Sequence, residues 1–211
     1  MSWVATVVLL VAGVPLAVAG DRYAAGRHGE RRRSLPRRRE ALLVAVPLSM
    51  GACGLVWGVH PRAAVAAAFC AVLLTLAAVD AELHVVPNRI VLPAAVVALA
   101  AQTAIDPSAE WAIAALAAAA FFFATALAYP GGMGMGDVKL ALLLGAMLGR
   151  GVAAAILIGM VAALVPSIAI LARQGARGRK AAIPLVPFLA LGGLIALFVG
   201  RAIVDAYVGS L

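Results

Sequence analysis

Apolar residues fall into long stretches along this chain, separated by short segments that contain charge, Pro or Gly. Most stretches approach the roughly 17–25 residues of a transmembrane helix, and none alternates polar and apolar residues as a membrane β-barrel does. The pattern therefore predicts an all-α, polytopic integral membrane helical bundle with about eight transmembrane helices. They are expected at about residues 2–20, 41–59, 63–79, 90–105, 111–129, 138–149, 151–172 and 185–208.

The composition agrees with lipid as the main solvent. Of the 211 residues, 65% are hydrophobic and 12% are charged, whereas a globular chain is about 45–50% apolar and about 25% charged. This excludes a soluble enzyme, a disulfide scaffold and a disordered linker. Cys53 and Cys70 lie within apolar stretches and match neither a zinc nor a redox motif. They are interpreted as small packing residues.

The formal charge of +8 comes mainly from two short segments, 21–40 and 173–184. Short basic loops favour the cytoplasmic side of a membrane, with anionic headgroups as a second attraction. We therefore interpret the charge as topology and expect no nucleic-acid partner. With loop 21–40 inside, both chain termini are predicted outside. Residues 17–19 resemble a signal-peptidase site, but the lack of a basic segment before them favours retention of residues 1–20.

Three acidic residues at the ends of apolar stretches need an explanation: Asp80, Glu82 and Asp137. Ionisable groups there cost free energy unless they face water or the bundle interior, and they are functional hypotheses by default. Asp80 is predicted to begin a polar loop, 80–89. Asp137 ends a glycine-rich loop, 130–137, whose glycines permit positive φ and the close approach of another backbone.

The predicted topology places Asp80 and Asp137 at the same membrane face on separate helices, where the two carboxylates could meet. Two carboxylates in contact cannot both ionise, so the pair would share one proton. One would act as a base toward water and the other as an acid toward the carbonyl or the leaving amine. Such chemistry needs no metal and no cofactor, and it points to an aspartic peptidase.

At these residues the sequence resembles the type IV prepilin peptidases, membrane aspartic proteases of the GxGD class. Gly134-Met135-Gly136-Asp137, followed by Lys139, is similar to the GxGD motif. Asp80, followed by Pro87-Asn88 and then Ile90 and Pro93, is similar to the companion motif. A third stretch, 183–192, resembles a Pro-Phe-Gly-Pro-like segment but has Leu185-Val186 in place of Phe-Gly. The resemblance covers about residues 41–211.

The resemblance implies a catalytic pair, Asp80 and Asp137, in a single membrane-embedded peptidase domain over residues 1–211. It implies a prepilin or pseudopilin substrate, cut at the cytoplasmic face of the inner (plasma) membrane after a basic leader that ends in Gly. The residues expected to bind substrate or position the loops are Gly134, Gly136, Lys139, Pro87 and Asn88.

A second activity found in larger family members is not expected. Those bifunctional members carry paired CxxC motifs between the first two helices and also N-methylate the new terminus. Loop 21–40 contains no cysteine. We therefore expect a peptidase without methyltransferase activity.

Two other classes of function remain open. Asp80 and Asp137 could form the ion site of a small secondary transporter or cation channel. His84 lies four residues after Asp80 and could share a helical face with it, which with Glu82 and Asp137 would make a cation site. Transporter halves usually carry corresponding broken helices, and the glycine loop has no repeat in this sequence. A noncatalytic subunit of a pilus or secretion machine can be separated from an enzyme only by activity. The sequence leaves open which precursor is cut, the oligomeric state and the route of the substrate.

Overall fold

The computed structural model describes residues 2–26, 38–129, 134–174 and 184–209. These residues form eight α-helices and one 3₁₀ turn and contain no β-strand, so the all-α prediction is confirmed. The helices are α1 (Ser2–Gly26), α2 (Arg38–Trp57), α3 (Pro61–Leu83), α4 (Asn88–Ile105), α5 (Glu110–Ala128), α6 (Met135–Leu148), α7 (Val152–Gln174) and α8 (Val186–Val208).

Six helical stretches in the described residues are long and apolar enough to cross a membrane. One of them, Met135–Arg173, contains both α6 and α7, because only the 3₁₀ turn Gly149–Gly151 separates these helices. The apolar part of α1, Val4–Gly20, is shorter than the length required of a span. The protein is therefore a multi-pass membrane protein, and the predicted number of about eight spans is slightly too high by this measure.

Several helices are longer than the sequence predicted, and the predicted loops are shorter. Residues 21–26 belong to α1, residues 80–83 to α3 and residues 135–137 to α6. Hydropathy detects the part of a helix that matches the hydrocarbon core of a bilayer, and helices continue beyond it into the polar interface. Residues 27–37, which make up most of predicted loop 21–40, and residues 130–133, which make up half of predicted loop 130–137, lie outside the described residues.

The described residues fall into two compact units, Met1–Ala109 and Glu110–Leu211. The single domain over residues 1–211 stays a prediction. In the first unit, small residues bring α1, α2 and α3 together: a Cβ on Gly54 would lie 2.7 Å from the Thr6 Cα. Cys53 of α2 and Cys70 of α3 are fully buried, with their Sγ atoms 3.9 Å apart. Both cysteines therefore lie in the packed helix contact predicted for them.

The second unit also depends on close glycine contacts. A Cβ on Gly145 of α6 would lie 2.5 Å from the Ala115 Cα of α5. A Cβ on Gly192 of α8 would lie 2.8 Å from the Gly159 backbone nitrogen of α7. These contacts let helix backbones approach closely, as small residues do in membrane proteins. The Gly145 contact also holds α6, whose first turn contains Asp137, against α5.

Candidate active site

Asp80 lies in the last turn of α3 rather than in a loop, which corrects the predicted loop 80–89. Its side chain is 6% exposed, and that of Glu82 is 5% exposed. Among the described residues, the buried polar or charged side chains are these two and Gln102. Burial of a carboxylate is costly, so two such groups in one helical turn mark this end of α3 as chemically unusual.

The chain leaves α3 through a left-handed residue. His84 has φ 53° and ψ 39°, and its backbone N–H donates to the Asp80 carbonyl oxygen at 2.8 Å. A residue in this conformation commonly ends a helix, and His adopts it more readily than most non-glycine residues do. Because the helix ends at Leu83, the hypothesis that His84 shares a helical face with Asp80 is wrong.

Pro87 and Asn88 form the start of α4. The carbonyl oxygen of buried Pro87 accepts hydrogen bonds from Ile90 N at 3.0 Å and from Val91 N at 3.1 Å. Asn88 is exposed at the first position of the helix. A helix therefore starts at Pro87-Asn88, inside the predicted loop 80–89. The link between α3 and α4 is only residues 84–87.

Asp137 lies in the first turn of α6, so the predicted loop 130–137 is also shorter than expected. Its backbone N–H donates to the Gly134 carbonyl oxygen at 3.1 Å. A carboxylate in the first helical turn interacts favourably with the helix dipole. The side chain is partly exposed, and it can therefore meet water or a substrate from outside the second unit.

Gly134 caps α6 from outside the helix with φ −84° and ψ 148°, an extended conformation that any residue can adopt. The expectation that these glycines supply positive φ is therefore wrong for Gly134. A Cβ placed on it would lie 3.8 Å from Asp137 Oδ2 and 3.8 Å from Gly136 N. Among the described residues, a Cβ at Gly134 would therefore make ordinary van der Waals contacts beside the Asp137 carboxylate and would not clash.

Lys139 follows Asp137 by two residues and is partly exposed. Residues at i and i+2 of a helix do not face each other. Lys139 therefore lies on a different side of α6 from Asp137, whereas Gly136 precedes Asp137 directly within the helix. From this side of α6, Lys139 is better placed to contact a bound peptide than to contact the Asp137 carboxylate.

The third stretch of resemblance, 183–192, is described from residue 184 onward and begins α8. The Leu185 carbonyl oxygen accepts from Phe188 N at 3.1 Å and from Leu189 N at 3.0 Å. Val186 and Leu189 are buried. These residues start and pack a helix, and Ile183 lies outside the described residues.

The structure thus groups the expected site residues in two places, one in each unit. Asp80, Pro87 and Asn88 lie around the link from α3 to α4. Gly134, Gly136, Asp137 and Lys139 lie at the start of α6. Asp80 belongs to the first unit and Asp137 to the second, and their pairing stays a prediction. The described parts of the chain contain no group of three His, Cys, Asp or Glu side chains placed to hold a metal ion.

One polar cluster was not expected from the sequence. Glu110, at the start of α5, binds two arginines, with Arg201 Nη2 3.1 Å and Arg150 Nη2 3.5 Å from its carboxylate oxygens. Asp205 of α8 pairs with Arg150 Nη1 at 3.2 Å. These arginines are distant in sequence from Glu110, so helical spacing gives no signal for the contacts.

Comparison with known proteins gives a match over the middle of the chain. Residues 67–168 match the family described as the type IV leader peptidase family. The chain is 32% identical over 165 residues to the prepilin leader peptidase/N-methyltransferase of Bacillus subtilis (strain 168). The aligned region covers 74% of this chain and 64% of that relative, so the chain spans less than two thirds of the relative's length. No solved structure gives a significant match to the chain.

Proposed function

We propose that the chain is an aspartic endopeptidase that removes the leader of pilin-like precursors, because residues 67–168 match the type IV leader peptidase family. The observation that supports this proposal most is the position of Asp80 and Asp137, which both lie within the matched segment. Each also lies at a helix end beside a short non-helical link or cap. The Asp137 residue is partly exposed there, whereas Asp80 is buried.

The proposed reaction uses the two carboxyl groups and one water molecule. One carboxylate accepts a proton from the water as its oxygen attacks the carbonyl carbon of the scissile bond. The other carboxyl group donates a proton to the carbonyl oxygen. The tetrahedral intermediate then collapses, the C–N bond breaks, and a proton passes to the leaving nitrogen. Two carboxyl groups that share one proton carry out both transfers without a covalent intermediate.

The glycines beside Asp137 suit an extended substrate. Gly134 is exposed and lies beside the Asp137 carboxylate. A peptide backbone would pass the carboxylate at this point, and a side chain at Gly134 would narrow its path. We assign Gly134, Gly136 and Lys139 to substrate binding. Pro87 and Asn88 fix the link that follows Asp80, because the Pro87 carbonyl oxygen anchors the first turn of α4.

The proposal also states on which side of the membrane the site lies and that the protein does not N-methylate its product. The basic segments 21–40 and 173–184 place the site at the cytoplasmic face of the inner membrane, with both termini outside. The substrate carries a basic leader and is cut after its terminal Gly. The segment between α1 and α2 contains no cysteine, since Cys53 and Cys70 lie within α2 and α3. We therefore propose cleavage without N-methylation.

Co-expression with a candidate prepilin tests the reaction. Leader removal is followed by gel mobility, and the product is analysed by N-terminal sequencing and by mass. Cleavage after the leader Gly, with an unmethylated product, is the expected result. A well-expressed protein that cleaves none of several plausible precursors would contradict the proposal and favour a noncatalytic assembly subunit. A methylated product would contradict only the proposed absence of N-methylation.

A further inference from the structure

Two thiols meet in the contact between α2 and α3. Cys53 of α2 and Cys70 of α3 are both 0% exposed, and their Sγ atoms lie 3.9 Å apart, so that one thiol donates a hydrogen bond to the other. Both are free cysteines, and the proposed peptidase reaction uses neither. We propose that this pair is an oxidation site, where hydrogen peroxide converts the two thiols into a disulfide bond that joins α2 to α3.

The fold keeps the two sulfur atoms together. The cysteines are 17 positions apart in sequence and lie on either side of the tight link between α2 and α3. A backbone hydrogen bond from His60 N to the Trp57 carbonyl oxygen at 3.2 Å closes this link. A disulfide bond requires the distance between the Sγ atoms to shorten to about 2.05 Å. Because the two atoms start in contact, we expect side-chain rotation and a small helix shift to supply this movement.

The packing around the pair selects the oxidant. Residues about one turn away on the two helices are apolar and buried, namely Met50 on α2 and Ala66 and Leu73 on α3. Entry of an ion into such surroundings is costly, and a bulky reagent has no space there. Hydrogen peroxide is neutral and close to water in size, so it can enter through a transient opening of the helix contact. We therefore expect oxidation that is slower than that of an exposed thiol.

The reaction takes place in two balanced steps. The sulfur of one thiol attacks a peroxide oxygen, so that an S–O bond forms and the O–O bond breaks. The thiol proton joins the departing hydroxide as water, and a sulfenic acid remains. The sulfur of the second thiol then attacks the sulfenic sulfur, the S–S bond forms, and the S–O bond breaks with release of a second water molecule. The two thiols lose two electrons in total, and one hydrogen peroxide molecule is reduced to two water molecules.

The partner thiol decides the product. A sulfenic acid without a neighbouring thiol is oxidised further to the sulfinic acid, whereas here a second sulfur lies 3.9 Å away. The resulting bond would restrict the unfolded chain between α2 and α3 and thereby stabilise the first unit. Asp80 lies ten residues beyond Cys70 on α3, about 15 Å along the helix axis. Oxidation therefore leaves the proposed catalytic residue unchanged, and the oxidation site does not depend on the proposed function.

Peroxide treatment of the purified full-length protein in detergent tests the proposal. The reduced protein is incubated with hydrogen peroxide, the excess is destroyed with catalase, and the protein is unfolded in SDS with a maleimide. We expect neither Cys53 nor Cys70 to be labelled, and peptide mass spectrometry without reductant should detect a cross-linked peptide that contains both. Treatment with dithiothreitol before labelling should restore both labels.

Three variants serve as controls. Cys53→Ala and Cys70→Ala each keep one thiol, which should gain oxygen atoms and form no disulfide within the chain. Ser108→Cys adds an exposed thiol, which should be oxidised first. Two results in the otherwise native chain would overturn the proposal. One is oxidation of the thiol introduced by Ser108→Cys while Cys53 and Cys70 stay reduced, and the other is sulfinic acid at either cysteine without the disulfide.

Thermal unfolding measures the effect of the cross-link. The oxidised protein should have a Tm higher than that of the reduced protein by about 5 °C or more. Dithiothreitol should abolish this difference, and peroxide should not raise the Tm of Cys53→Ala. An equal Tm for the oxidised and reduced protein would contradict the stabilising effect of a bond between α2 and α3.

Discussion

The Glu110 carboxylate accepts a hydrogen bond from the Arg150 backbone N–H at 3.0 Å and thereby joins the start of α5 to the 3₁₀ turn between α6 and α7. Arg201 of α8 binds the same carboxylate oxygen at 3.1 Å, and its guanidinium group lies 5.0 Å from the Trp111 ring centre. One acidic side chain thus connects α5, the 3₁₀ turn and α8 within the second unit.

Replacement of Glu110 should destabilise this unit. In Glu110→Ala the Arg150 N–H and the Arg201 guanidinium both lose an acceptor that is only 23% exposed. Loss of hydrogen bonds to a charged group of this exposure is expected to cost about 1–3 kcal/mol. Thermal unfolding of the purified protein in detergent should show a clearly lower Tm.

Asp205→Asn is the matched control for Glu110. Asp205 and its partner Arg150 are 58% and 55% exposed, and exposed ion pairs contribute less than about 1 kcal/mol. Its Tm should therefore stay close to that of the wild type. Equal decreases in Tm for Glu110→Ala and Asp205→Asn would contradict the larger contribution of Glu110 to the stability of the second unit.

Two glycines give opposite expectations on substitution by Ala. Gly134 has φ −84°, and a Cβ there would make only ordinary van der Waals contacts with the described residues, so Gly134→Ala should leave Tm unchanged. If a peptide backbone passes this point, the added methyl group displaces it, and kcat/KM should fall by about ten- to a hundredfold. Full activity in Gly134→Ala would contradict substrate passage beside Gly134.

Gly149 should respond in the opposite way. Its φ is +57°, and a Cβ there would collide with Glu110 Oε1. Positive φ for a non-glycine residue costs on the order of 1–3 kcal/mol. Gly149→Ala should therefore lower Tm, whereas Gly134→Ala should not. Thermal unfolding of the two variants in parallel measures this difference. A wild-type Tm for Gly149→Ala would contradict a need for glycine in the 3₁₀ turn.

The helices and the acidic candidates could be predicted from the sequence because each depends on residues close together in the chain. The predicted end of α3 at residue 79 was too early, since Asp80 and Glu82 look like loop residues until their burial is known. The left-handed conformation of His84 decides where α3 stops, and no spacing rule predicts it. The contact between Glu110 and Arg201 depends on tertiary packing of α5 against the α8 end and gives no local signal.

Cys53 and Cys70 should be protected from thiol reagents in the folded protein. Both are fully buried between α2 and α3. A membrane-permeant maleimide should label neither thiol before unfolding in SDS and both thiols afterwards, as read by mass spectrometry. Ser108→Cys, in the exposed segment before α5, should accept the label at once in the same protein. Rapid labelling of Cys53 or Cys70 in the folded state would contradict their packing.

The cleavage rate of purified protein on a synthetic precursor tests the central claim, that Asp80 and Asp137 act together as acid and base. Asp80→Asn and Asp137→Asn preserve the shape of the side chain but replace its carboxyl group with an amide that cannot act as a general acid or base, so each should lower kcat by about 10²–10⁴-fold or more. Each variant should keep the wild-type Tm, and Asp205→Asn should keep the wild-type rate. Wild-type cleavage by either Asp80→Asn or Asp137→Asn would contradict the catalytic pair.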